Sequence, residues 1–241
     1  GLCFSHSELR DDYFQAVFFT SRISDVPRRQ LLFGTSMNNL GLSYFYSSRI
    51  KLAKYAFISA KKHLDCVGYN TARISNNIGV CFYMIHDFQA AYYYFSTAAT
   101  EQTEGIFMRL CIQTNLALVL YTIGKQDEAK NILDSLINEY EQGKPQSKDT
   151  LVYCAAMINR GYIAFKERHY FQAADYYQKS LLHTYRYQNK EQRWKREEMR
   201  DISIKYGVNG SQCETNLDLT DTLCDFYKKP YSLIPFAFYV I

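Results

Sequence analysis

The sequence predicts an all-α chain of repeated helical hairpins, and three observations predict it. First, a small residue recurs with large apolar ones at fixed offsets. Gly41 is followed by Tyr44, Ala53, Phe57 and Ala60, and Gly79 by Phe82, Ala91, Phe95 and Ala98. Ala117 precedes Leu120, Ala129 and Leu133, and Gly161 precedes Ala164, Ala173 and Tyr177. The small residues let two antiparallel helices approach, and the large ones supply the surface the pair buries. Second, an Asn stands two residues before each anchor: Asn39, Asn77, Asn115 and Asn159, in steps of 38, 38 and 44 residues. A period of this length that alternates two helices is the mark of a stacked repeat array. Third, there are only four prolines, and Pro27, Pro145, Pro230 and Pro235 all fall near expected element boundaries, as a helical chain requires.

Taken in order, residues 1–27 are expected to form a partial N-terminal repeat or capping helix. The segment Asp12-Tyr-Phe-Gln-Ala16 resembles Asp87-Phe-Gln-Ala-Ala91, so a helix is expected over 10–25, broken by Asp25-Val-Pro27. Four helix pairs follow over 28–187: 28–47 with 50–66, 71–85 with 88–101, 106–123 with 126–141, and 150–167 with 170–187. Gly68 and Asn70 make the turn between the first two pairs, and Gly124-Lys-Gln the turn inside the third. The polar loop Glu141–Asp149, with Gly143 and Pro145, accounts for most of the longer third step. Residues 188–241 are expected to hold a charged helix over 188–206, a short helix over 215–228, and an apolar C-terminal cap from Pro230 to Ile241.

Composition narrows the function classes. Hydrophobic residues make up 47% and 22 residues are Tyr, enough to interlock stacked helices. A net charge of +4 is too weak to imply a nucleic-acid partner. The seven Cys contain no CxxC, and Cys81 and Cys111 lie in apolar helical runs, so free thiols in a reducing compartment are expected. Neither a signal peptide nor an apolar run near 18 residues is present, which points to the cytoplasm and away from a membrane. The chain begins at Gly1 with what reads as a second repeat helix, so further domains of a parent protein are expected upstream. A Gly1 left by a tag on a complete domain is the alternative. No phosphate-binding, metalloprotease or nucleophile-elbow motif occurs, so no catalytic residue, cofactor or metal site is assigned. The five His are scattered, with His86 and His169 in matching turns. Between Tyr185 and Lys205 seven cations face four acids around Trp194. That composition is compatible with a nucleic-acid contact but reads more simply as a solvated, salt-bridged helix face.

The recurring pattern of Gly or Ala, an Ala twelve residues later and a large apolar residue sixteen later, over roughly residues 34–182, resembles the tetratricopeptide repeat (TPR) family, although the step is longer than that family's usual repeat of about 34 residues. The resemblance implies a right-handed helical-hairpin solenoid whose first helices line a concave groove. It places a ladder of amides there, with one hydroxyl among them: Asn38 and Asn39, Asn76 and Asn77, Thr114 and Asn115, and Asn159. Beside it run the aromatics Phe45, Tyr83, Tyr121 and Phe165, with Tyr162, Arg73 and Lys166 also facing the groove. An Asn side chain both donates and accepts, so such a ladder suits the backbone of an extended peptide. The other reading is that these Asn brace neighbouring helices. The chaperone-binding subclass of TPRs needs basic groups where this chain has Cys111 and Asn115, so a chaperone co-factor role is not expected.

The expected function is a non-catalytic protein- or peptide-binding module, serving as the sensor or interaction domain of a larger regulator, either a signalling ATPase or a transcription regulator. A receptor for a short signalling peptide, of the pheromone type, and a purely structural scaffold or oligomerisation domain are the alternatives. An enzyme with an unrecognised site is the rival from another class.

Overall fold

The computed structural model describes residues 6–101, 105–143 and 147–184, and beyond these only positions 197, 200, 201, 204 and 205. The described residues form α-helices and turns, with no strand among them. The helices are α1 (His6–Thr20), α2 (Val26–Tyr46), α3 (Ile50–Asp65), α4 (Ala72–Met84), α5 (Phe88–Thr100), α6 (Ile106–Thr122), α7 (Gln126–Gln142), α8 (Ser147–Lys166) and α9 (Tyr170–Thr184). They fall into two compact units divided after Gly124. The first unit holds α1 to α6 and the second α7 to α9. The division lies in the turn expected inside the third pair, between α6 and α7. No helix among the described residues is long and apolar enough to cross a membrane.

In the first unit α2 packs on α3 and α4 on α5, and α3–α4 and α5–α6 contacts join successive hairpins. The small residues work by contact. A Cβ added at Gly41 would stand 2.6 Å from the Phe57 ring, and one at Gly79 would stand 2.7 Å from the Phe95 ring. Phe57 and Phe95 are fully buried, as are Ala53, Ala60, Ala91 and Ala98. Burying each Phe contributes about 1.5–3 kcal/mol. Leu42, Phe57, Ile74, Ile78 and Cys81 join α2, α3 and α4 in one cluster. Val80, Ala91, Phe95 and Val119 join α4, α5 and α6 in the next, with Phe45 packed against both. In the second unit α8 packs on α9 and on α7, with Ala164, Ala173 and Tyr177 buried together.

The hairpin turns share one local solution. After α2, Ser48 takes φ 59°; after α4, His86 takes 64°; after α8, Arg168 takes 64°. Gly124, at the equivalent place after α6, takes 88°. In each of the first three the next amide reaches back to the helix carbonyl five residues earlier: Arg49 N to Tyr44 O, Asp87 N to Phe82 O, and His169 N to Ala164 O, at 2.9, 3.0 and 2.9 Å. This is a left-handed C-terminal stop. The position matching His86 is therefore Arg168, one residue before His169.

Several boundaries differ from the sequence reading, and α1 already begins at His6 rather than 10. α1 ends at Thr20 rather than 25, and Asp25-Val-Pro27 opens α2 instead of only closing α1. The Asp25 carboxylate accepts from Arg28 N at 3.1 Å, and Pro27 sits in the first turn, where its missing N–H leaves nothing unsatisfied. α8 starts at Ser147, inside the stretch read as a polar loop. The charged helix expected over 188–206 lies outside the described residues except at 197, 200, 201, 204 and 205, which are helical. Arg200 donates to Gln178 of α9 at 3.0 Å. The short helix over 215–228 and the cap over 230–241 lie outside the described residues.

Candidate functional site

The residues expected to line a groove sit on α2, α4 and α6 of the first unit and on α8 of the second. Their burial departs from the expectation. Asn38, Asn76, Asn77, Thr114 and Asn115 are fully buried, and Asn159 is 2% exposed. Of the amides only Asn39 keeps partial exposure. A solvated amide ladder is thus not what the free chain presents. The reason is tertiary: in the first unit α4 packs against α3, α5 and α6, so all but Arg73 of its residues 72–81 are buried.

Burial makes hydrogen bonding decisive, because an unmet buried amide costs free energy. The Asn115 amide on α6 donates to Asn76 Oδ1 on α4 at 2.8 Å. The Thr114 hydroxyl donates to the Leu110 carbonyl of its own helix at 2.9 Å. Asn38 stands one step before Asn76 in the repeat, yet neither its Nδ2 nor its Oδ1 has a partner. Asn159, in the second unit, likewise has neither atom paired. The α4 and α6 backbones approach closely, whereas α2 and α4 meet through the apolar side chains of Leu42, Ile74, Ile78 and Cys81. The amide pair is closed where the helices meet.

The aromatics are more open. Phe45, Tyr83 and Tyr121 are half-buried. The Tyr83 hydroxyl lies 3.3 Å from Thr122 Oγ1, its ring is 5.2 Å from Phe88, and burial raises its pKa. Arg73 is half-buried at the start of α4. In the second unit Phe165 is buried edge-on to Tyr170 at 5.4 Å. Lys166 is exposed, with Nζ 5.6 Å from the centre of the half-buried Tyr162 ring.

Two polar clusters went unread in the sequence. Glu101, at the end of α5, accepts from Thr71 N at 3.1 Å and lies 3.7 Å from Lys61 Nζ, tying the start of α4 to α3 and α5. An anion there also meets the positive end of α4. In the second unit buried Arg160 of α8 donates from Nε to Asp134 of α7 at 2.8 Å, and its guanidinium lies 5.4 Å from the Tyr176 ring centre. Its Nη1 is buried without a partner. The signal for Arg160 was in the sequence: it occupies the place of Leu40, Ile78 and Leu116 in the repeat. Among the described residues no three His, Cys, Asp or Glu side chains are grouped to hold a metal ion.

No protein-family model and no curated protein matches the chain. Solved structures do. The apo form of the quorum sensor NprR from B. thuringiensis aligns with a TM-score of 0.64 at 18% identity, over 92% of this chain and 59% of that one. BtubC from P. vanneervenii aligns with a TM-score of 0.65 at 11% identity, over 93% of both chains. PilF of Pseudomonas aeruginosa, at a TM-score of 0.47, carries no argument. This chain thus spans about three fifths of the length of NprR. Identities this low speak for the fold alone, and that fold is an all-α, TPR-like helical-hairpin solenoid.

Proposed function

We propose that this chain is a non-catalytic, cytoplasmic binding module that receives a protein or extended peptide segment, as the sensor or interaction domain of a larger regulator. The observation that carries the reading is the Asn38 amide, fully buried on α2 with both polar atoms unpaired. A peptide backbone offers the donor and acceptor that such an amide lacks. Asn38 is fully buried, so a strand reaches it only as α2 and α4 part, and half-buried Phe45 and Tyr83 stand ready for apolar side chains. Likeness to a protein described as a quorum sensor lends direction to the peptide-receptor form of this reading. An upstream helix-turn-helix in the parent protein would favour that form, and an upstream phosphate-binding loop a signalling ATPase.

The test is selection of binders from a phage-displayed random peptide library, followed by affinity measurements with the synthetic peptides. Asn38→Ala should weaken binding about 2- to 12-fold, since one hydrogen bond contributes roughly 0.5–1.5 kcal/mol. Unchanged affinity in folded Asn38→Ala protein would sink the reading. A second reading, a purely structural scaffold, is favoured by the closed Asn115–Asn76 pair. It expects no selected peptide to compete at the α2–α4 junction.

A further inference from the structure

The first hairpin concentrates charge that the whole chain dilutes. Between Arg22 and Lys62 stand eight Lys and Arg against the single acid Asp25, a net +7 in a protein whose total is +4. Asp25 is already the cap of α2. Of the four lysines on α3, Lys54 lies over the Phe82 ring and Lys61 pairs with Asp65 and Glu101, which leaves Lys51 and Lys62. Lys51, Tyr55, Ile58 and Lys62 recur at i, i+4, i+7 and i+11, which places them on one face of the helix. All four are exposed. The stripe is therefore an aromatic and an aliphatic side chain with an ammonium at either end, about 16 Å apart along the axis at 1.5 Å per residue. Neither Lys51 nor Lys62 has an acidic partner among the described residues. The nearby carboxylate of Asp65 is occupied by Lys61 and the Thr71 hydroxyl. Tyr55 also has counterparts in the repeat register, two residues after Ala16, Ala53 and Ala91. Phe18, Tyr55 and Tyr93 are 60%, 65% and 64% exposed.

We propose that the outer face of α3 is a docking surface for an acidic amphipathic helix of another protein, distinct from the α2–α4 junction. Charge complementarity specifies the acids: carboxylates about three turns apart on the partner meet Lys51 and Lys62. The centre of the stripe specifies the rest. Tyr55 and Ile58 gain by burial against aliphatic side chains, whereas a phosphate backbone leaves Ile58 without use.

The test uses a fluorescein-labelled helical peptide of about 18 residues, with leucines along one face and glutamates flanking them. Fluorescence anisotropy should show saturable binding that weakens as salt rises. Lys51→Glu/Lys62→Glu should weaken it about tenfold or more, and Tyr55→Ser by a similar factor. Both changes lie on an exposed face, so thermal melts should match the parent. Asn38→Ala should leave this affinity unchanged, which separates the surface from the junction proposed above. Three comparison probes are the same peptide with serine for leucine, an oligothymidine of about 20 nucleotides, and phosphatidylcholine vesicles containing phosphatidylserine. Each should bind at least about tenfold more weakly. Equal or tighter binding by any of them, no binding of the leucine peptide, or indifference to the charge reversal would overturn the proposal.

Discussion

Asn115 and Asn76, on consecutive first helices, are both fully buried and joined by a 2.8 Å hydrogen bond. Removing either side chain leaves the other amide without that bond in a buried site. Asn76→Ala should therefore destabilise the protein by about 1–3 kcal/mol. Asn38→Ala removes an amide that has no partner and should cost clearly less. Urea unfolding of the two variants checks the order; equal losses would mean that the Asn76–Asn115 bond contributes little.

Gly79 and Gly161 occupy the same repeat position with different clearance. A Cβ at 79 would lie 2.7 Å from the Phe95 ring, while one at 161 would lie 3.2 Å from Tyr176 Cβ and Tyr177 Cζ. Gly79→Ala should cost about 1–3 kcal/mol through overpacking. Gly161→Ala should cost less, and leucine at either site more than alanine. Thermal melts that fail to separate the two alanine variants would argue against this packing.

The Arg160–Asp134 pair is one-sided. Arg160 is 7% exposed as a residue, while the Asp134 side chain is 41% exposed. Asp134→Asn should cost about 2 kcal/mol, less than the 3–5 kcal/mol of a fully buried pair, because solvent already screens the acid. Arg160→Leu restores the residue class found at 40, 78 and 116 and should be near neutral, since no buried charge is left behind. A large loss for Arg160→Leu in denaturant unfolding would contradict this account.

Arg168 holds φ at 64° in an exposed turn, a conformation that suits glycine. Arg168→Gly should stabilise by about 0.5–1 kcal/mol, the relief of left-handed strain less the added freedom of the unfolded chain. Gly124→Ala, at φ 88°, should destabilise by about 1 kcal/mol. Shifts in the denaturation midpoint with the opposite signs would refute the turn assignment.

The thiols should react unequally. Cys66 is exposed, whereas Cys81, Cys111 and Cys154 are free and buried, and burial pushes the Cys81 thiol up to about 12. Under native conditions at pH 8, mass spectrometry after brief alkylation should find Cys66 labelled and those three unlabelled. In denaturant all seven cysteines of the chain should titrate as thiols. A count of five or fewer in denaturant would reveal disulfides and argue against a reducing compartment.

The hairpins were readable before any coordinates because their determinants are local and repeat. A small residue, a large apolar one sixteen positions later and a polar turn between them recur in one chain, so chance matches cancel and true ones add. The turn stop at His86 and the Asp25 cap were harder to place, since a left-handed residue is not always Gly and a Pro can start a helix as well as end one. The sign of the hairpin charge was available too, but the chain total of +4 hid the +7 of residues 22–62.

What the sequence alone determined is the helical period, the small–aromatic contacts such as Gly79 with Phe95, and the recurrence of Asn at one repeat position. Whether those amides meet water, each other or nothing was decided by the tertiary structure. Asn39, Asn77 and Asn115 share one repeat position, yet Asn39 is partly exposed and the other two are fully buried. Asn38 and Asn76 share the next, yet one is unpaired and the other accepts a bond from α6. The physical reason is that an amide's partner stands on another helix. A repeat pattern records which residue each helix brings to the junction, while the distance between helices follows from the packing of every side chain around them.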